Sequence, residues 1–103
     1  MYVRVAGPGR SAFQLRKGEE GISIFDVDAV EPSLSDSEVL DQFRMGSQLV
    51  LRSKAEIEAK GLSVMPIPGA EPLPERLRLS HAEIRPGAGM TRVQFKQALK
   101  ELE

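Results

Sequence analysis

Alternating apolar and polar residues predict most of the strands in this chain. Side chains of a strand point to opposite faces in turn, so a half-buried strand alternates between apolar and polar positions. This pattern occurs in six stretches, which are residues 2–5, 12–16, 22–25, 48–51, 62–67 and 76–84. The short glycine-bearing segment between 12–16 and 22–25 predicts that these two strands form a hairpin.

Three capping boxes predict the starts of three helices. In each, a hydroxyl residue is followed three positions later by Glu or Gln, so the two side chains satisfy backbone N–H groups reciprocally. The boxes are Ser35 with Glu38, Ser53 with Glu56, and Thr91 with Gln94. Glycines 46 and 61 are the expected ends of the first two helices. The third helix carries an apolar stripe, formed by Phe95, Ala98, Leu99 and Leu102.

Two stretches raise questions of topology. The strand–helix–strand order within 48–67 is consistent with a right-handed crossover between parallel strands. Along 76–84 the alternation changes phase, which predicts either a bulge near Ser80 or a strand buried on both faces. Four prolines in 66–74 predict an exposed loop, since proline donates no backbone hydrogen bond.

Together these elements predict one α+β domain over residues 1–103. We expect a small, mostly antiparallel sheet of five to six short strands covered by three short helices. The expected core is Val3, Val5, Phe13, Leu15, Ile22, Ile24, Leu40, Phe43, Val50, Ile57, Val64, Leu79, Ile84, Phe95, Leu99 and Leu102.

Composition removes several function classes. The chain has no cysteine and one histidine, which excludes disulfides, thiolate metal sites and cysteine nucleophiles. We therefore expect no metal and no cofactor. No apolar run is long enough to span a membrane, and no export signal is evident, so the cytoplasm is the expected compartment.

Charge is segregated along the chain although the net charge is only −1. Residues 1–18 contain basic but no acidic side chains, and 19–41 contain acidic but no basic ones. A dense acidic run is suited to a basic protein partner, whereas a nearly neutral chain has no overall attraction for nucleic acid. The candidate partner-binding residues are Glu19, Glu20, Asp26 and Asp28. The alternative is a solvated surface with local ion pairs.

His81, Glu83 and Arg85 are the candidates for catalysis. In an extended strand, alternate side chains project to one side, so His81 and Glu83 would lie together as a general base beside a carboxylate. The alternative is that His81 bonds a backbone carbonyl at a strand bend while Glu83 pairs with an arginine.

Two glycine-bearing segments and one basic stripe are weaker candidates for binding phosphate. The segment 7–9 lacks the following helix that phosphate loops require, which favours a β-turn. Residues 87–89 precede the last helix, where backbone N–H groups could meet a phosphate between Arg85 and Arg92, and the alternative is a flexible entry to the helix. Arg92, Lys96 and Lys100 form a stripe on that helix, whose alternative role is a solvated face.

A string near the N-terminus resembles that of a group of small bacterial proteins. From Phe13 to Phe25 it runs FQLRKGEEGISIF, similar to an FRLRPGExGLSxF string that precedes a short helix and a histidine-containing strand. Lys17 replaces the proline of that string, and Gln14 replaces an arginine. The later segment 80–84 is also similar. The resemblance implies a bacterial protein, but it implies no activity and assigns no catalytic role to any residue.

The sequence therefore favours a non-catalytic module that binds another protein, as an accessory or immunity-type component. This rests on the charge segregation and on the few catalytic residue types. The alternative is a small enzyme or binding protein for a phosphorylated or nucleotide substrate, acting through His81, Glu83 and nearby arginines.

Overall fold

Five strands and four helices make up the protein, as described by a computed structural model of residues 1–103. In chain order they are β1 Tyr2–Ala6, β2 Ile22–Asp26, α1 Asp36–Leu40, β3 Gln48–Arg52, α2 Lys54–Ala59, β4 Ser63–Pro66, α3 Glu75–Ser80, β5 His81–Arg85 and α4 Arg92–Lys100. The predicted α+β class is confirmed, with one more helix than expected. No helix is long and apolar enough to cross a membrane.

The strands form one antiparallel sheet in the order β3-β1-β2-β5-β4. The prediction of a mostly antiparallel sheet is thus confirmed. Four successive antiparallel pairings leave β3 and β4, the two strands joined by α2, parallel to each other as the predicted crossover requires, although they are not neighbours. β3 and β4 lie at opposite edges, with three strands between them. The most deeply buried side chains of the sheet belong to these three central strands, as their position in the sheet requires.

All three predicted helix starts are confirmed. Ser35, Ser53 and Thr91 each accept a hydrogen bond from the third helical N–H, and the Glu or Gln at that position bonds back to the cap. Gly61 follows the end of α2 with a φ of +78°. The expected stop at Gly46 is wrong, because α1 already ends at Leu40 and Gly46 lies in the turn before β3.

The region predicted as a strand over 76–79 is the helix α3. Ser80 is buried, and its hydroxyl donates to the Arg76 carbonyl at 2.7 Å within the last turn of the helix. Only Leu77 turns into the core, whereas Leu79 is 64% exposed. The change of phase near Ser80 therefore marks the junction from α3 to β5, and no bulge is needed.

Residues 12–16 form no strand, so the predicted hairpin is also wrong. Their apolar side chains Phe13 and Leu15 are nevertheless buried. Hydrogen bonds from side chains to the backbone of this segment replace those that a neighbouring strand would make. The carbonyl of Ala12 accepts from Arg4 Nε at 2.7 Å, and the N–H of Phe13 donates to a Glu103 carboxylate oxygen at 2.5 Å.

Apolar side chains pack on both faces of the sheet. The larger cluster lies beneath α2 and α4 and contains Ala6, Ala12, Phe13, Leu15, Ile22, Ile24, Ile57, Leu62, Ala82, Ile84, Phe95, Ala98, Leu99 and Leu102. The smaller lies beneath α1 and α3 and contains Val3, Phe25, Leu34, Val39 and Leu77. The expected core is confirmed except for exposed Phe43 and Leu79, and for half-buried Val5, Leu40, Val50 and Val64.

Candidate functional site: a cleft around His81

His81 begins β5 and belongs to a row of side chains that crosses the sheet. Strand register places Leu51 opposite Val3, Val3 opposite Phe25, and Phe25 opposite His81. The Phe25 and His81 rings meet edge to face with their centroids 5.7 Å apart. His81 thus lies on the face that carries the smaller apolar cluster, next to its central aromatic residue.

One hydrogen bond fixes the tautomer of the neutral His81 ring. Nδ1 lies 2.8 Å from the carbonyl oxygen of Ile67. A carbonyl can only accept, so Nδ1 carries the proton and Nε2 of the neutral ring is an acceptor. Nε2 has no partner in the protein and is not buried. The ring is therefore held by the protein while one acceptor remains available.

The loop that holds His81 approaches the α3–β5 junction closely. Ile67 donates its N–H to the His81 carbonyl at 3.2 Å, and Gly69 donates to the Arg78 carbonyl at 2.9 Å. A Cβ on Gly69 would lie 3.1 Å from the Arg78 Cα and 3.2 Å from the His81 Cβ. Only glycine allows this approach without displacing a neighbour.

The loop, the sheet and Phe43 enclose a cleft of about 490 Å³, called here the His81 cleft. The Phe43 ring meets Phe25 edge to face at 6.1 Å and also lines the cleft. The lining is Arg4, Val5, Ser23, Phe25, Phe43, residues 67–73, His81 and Glu83. The volume lies within the range of small-molecule sites, and the lining combines apolar residues with the polar side chains of Arg4, Ser23, Glu71, His81 and Glu83.

Glu83 enters the same cleft without contacting the imidazole. Its carboxylate accepts from Arg85 Nε at 2.7 Å, and no hydrogen bond joins it to His81. Arg85 also lies 3.8 Å from a carboxylate oxygen of Glu20. His81 thus bonds a backbone carbonyl and Glu83 pairs with an arginine, as the structural alternative predicts. The two residues nevertheless line one cleft, as the catalytic alternative predicts.

Arg4 is a cleft residue that sequence reasoning missed. Its guanidinium donates from Nε to the Ala12 carbonyl at 2.7 Å and from Nη1 to the Ser23 carbonyl at 3.0 Å. Burial lowers the pKa of this guanidinium from its ordinary value. A charged residue inside an otherwise apolar strand was the available signal, although its partners are remote in sequence.

The acidic candidates lie in two separate pairs. Glu19 and Glu20 precede β2, whereas Asp26 ends that strand and Asp28 follows it. Glu20 and Asp26 are six positions apart along a nearly extended segment, which is about 20 Å. The structure therefore does not bring these four carboxylates into one patch.

The glycine segment near the N-terminus forms a β-turn. Arg10 donates its N–H to the Gly7 carbonyl at 3.1 Å, and Gly9 has a φ of +69°. Proline followed by a glycine of positive φ is typical of a type II turn. The backbone N–H of Arg10 is thus used within the turn and does not point toward a phosphate site.

The later glycine segment serves packing between α2 and α4. A Cβ on Gly87 would lie 1.9 Å from the Gly61 carbonyl oxygen, so the two backbones touch. Arg92 donates to the carbonyls of Arg16 and Glu19 at 2.8 and 2.7 Å. It is therefore engaged with the 16–19 loop, and only Lys96 and Lys100 of the basic stripe lack such partners.

No group of three or more His, Cys, Asp or Glu side chains is arranged to hold a metal ion. The His81 cleft is thus a site of one imidazole, apolar walls and paired charges. No protein family, curated protein or solved structure matches this chain.

Proposed function

We propose that this protein is a non-catalytic module that binds another protein, and that the partner adds an extended segment to the free edge of β3. The observation that carries this proposal is an open edge strand flanked by exposed apolar side chains. Addition of a strand to a sheet edge is a recurring mode of peptide recognition.

β3 has an unsatisfied edge. It pairs only with β1, and no backbone group of residues 48–52 bonds elsewhere in the backbone. The one side-chain contact to its backbone is from Arg52 Nη1 to the Leu51 carbonyl, at 2.6 Å. Unpaired N–H and C=O groups in a row are a template for another strand.

Exposed apolar residues adjoin this edge. Leu51 is 48% exposed, and Met45, in the turn that leads into β3, is 94% exposed. Phe43 lies on the same face as Leu51 but packs on Phe25 of β2, so it belongs to the His81 cleft and not to this edge. An added strand would cover Leu51 and Met45, which supports a docking role for the edge.

The opposite edge is protected in the way natural sheets protect their edges. β4 has only four residues and ends at Pro66, and Pro68 follows two residues later. Proline and short length both discourage strand addition. The difference between the two edges favours β3 as the docking strand.

A charge substitution on β3 tests this proposal. Leu51→Lys places a charge on the edge, and we expect it to abolish capture of the partner from an extract of the native host. The matched control is Leu79→Lys, which puts the same charge on exposed α3. Capture is measured by affinity purification and mass spectrometry, with circular dichroism to verify folding. Equal capture by both variants contradicts the proposal, as does concentration-dependent self-association that Leu51→Lys removes.

The expectation of a basic partner is a separate part of the proposal. Because the acidic residues form two pairs, each pair is neutralised by itself, as Glu19→Gln with Glu20→Gln and as Asp26→Asn with Asp28→Asn. Loss of partner capture at moderate salt in one double variant would support a basic partner and locate its contact. Unchanged capture by both would contradict it.

A further inference from the structure

We propose that the His81 cleft binds a planar aromatic ligand that carries an N–H or O–H donor, with Nε2 of His81 as the acceptor. This site is independent of the β3 edge and gives the chain a second binding activity. Its ligand class follows from the lining residues, the polar groups and the rigidity of the cleft.

The walls of the cleft favour a flat ring. Two aromatic rings, Phe25 and Phe43, and two loop prolines, Pro68 and Pro72, line the cleft. Phe25 already makes edge-to-face contacts with two rings. Aromatic pairs of this kind contribute beyond the area they bury, so an aromatic ligand gains more here than an aliphatic one.

The polar groups of the cleft favour a donor over a phosphate. Arg4 donates to two backbone carbonyls, and the guanidinium of Arg85 beside the cleft is paired with Glu83 and Glu20. The carboxylates of Glu83 and Glu71 are in turn paired with Arg85 and Arg78, which leaves Nε2 of His81 as an acceptor without a partner. A phosphate would meet arginines that are already engaged, whereas an N–H or O–H group finds an acceptor.

His81 is held in place before any ligand binds. The Ile67 carbonyl fixes the ring through Nδ1, and the close approach of Gly69 fixes the loop. A rigid acceptor binds its donor without a further loss of side-chain entropy. The affinity of the site for a ligand should therefore depend directly on whether the ligand carries a donor.

Two matched probes test this inference without any substitution. Indole has an N–H, and 1-methylindole has the same ring without it. We expect indole to shift the amide resonances of the non-proline residues in 67–73, of His81 and of Phe25 in NMR titrations of the full chain. One neutral hydrogen bond contributes about 1 kcal/mol, so 1-methylindole should bind about fivefold more weakly. Equal affinities, or shifts confined to α4, would overturn the proposal.

One variant separates the hydrogen bond from the added methyl group. His81→Asn keeps an N–H near the position of Nδ1, able to donate to Ile67, and lacks Nε2. In this variant the two probes should bind with equal affinity. If it still prefers indole, the preference is steric and the proposal is wrong. Leu51→Lys should bind indole like the wild type, which distinguishes this site from the β3 edge.

Discussion

Arg4 stabilises the protein by occupying the place where β1 and β2 separate. The two strands pair only at two positions, whereas β1 pairs with β3 at five. Replacing Arg4 by Met removes its hydrogen bonds to Ala12 and Ser23. The bond to the partly buried Ala12 carbonyl involves a charged donor and is worth about 1.5–3 kcal/mol, whereas water can replace Arg4 at the exposed Ser23 carbonyl. We therefore expect Arg4→Met to lower the free energy of unfolding by about 2 kcal/mol.

Urea denaturation followed by circular dichroism measures this loss. For small domains the free energy falls by about 1–3 kcal/mol per molar urea, so the midpoint should fall by about 1 M. Arg10→Met is the matched control, because Arg10 is exposed and its side chain makes no hydrogen bond. Arg4→Lys keeps the charge but not the planar fork, and should lie between the two. If Arg4→Met and Arg10→Met unfold at the same urea concentration, Arg4 does not hold the strands.

Three further changes have expected outcomes in thermal unfolding. Gly87→Ala should cost about 1–3 kcal/mol, because its Cβ would overlap a backbone carbonyl, whereas Gly7→Ala, which meets only a side chain at 3.6 Å, should cost much less. Ser53→Ala removes an N-cap and should cost about 1 kcal/mol. The guanidinium hydrogen-bonded to Glu38 holds the pKa of that carboxyl below its ordinary 4.5, so wild type should exceed Glu38→Gln in melting temperature at pH 7. That difference should vanish as the pH falls through the lowered pKa, since the folded-state advantage of the charged form is then lost.

Features determined by neighbouring residues were predictable from sequence. Each capping box joins residues only three apart, so Ser35, Ser53 and Thr91 indicate their helices without reference to the rest of the chain. The alternation at 22–25 likewise depends only on neighbouring residues, since Ile22 and Ile24 are buried and Ser23 between them is exposed. Neither signal identifies which strands lie side by side.

Features determined by distant residues were not predictable. Leu77 and Leu79 alternate as a strand would, but the helix α3 buries only the first of them. Its ion pair between Arg76 and Glu38, at 2.6 Å, spans 38 positions of sequence. In the same way, residues 12–16 look like a strand, yet Arg4 satisfies part of their backbone. Tertiary contacts outweighed local propensity in both places.

The candidate site was predictable only in part. The sole histidine singles out His81, and alternation places Glu83 on its side of the strand. Sequence did not indicate that Arg4, Phe43 and the 67–73 loop would complete the cleft, because these come from three other regions of the chain. The acceptor at Nε2 depends on the Ile67 carbonyl, which no side-chain pattern reveals.

Arg4 links the stability of the sheet to the His81 cleft, and two variants test that link. Arg4 lines the cleft and bridges β1 to β2, whereas the Gly87 contact with Gly61 lies outside the cleft lining. Arg4→Met should therefore weaken indole binding and lower stability, while Gly87→Ala should lower stability alone. Both are compared by NMR at a temperature where each variant is fully folded. Equal weakening of indole binding by the two would mean that the cleft responds to general loosening of the fold, and Arg4 would then have no local role there.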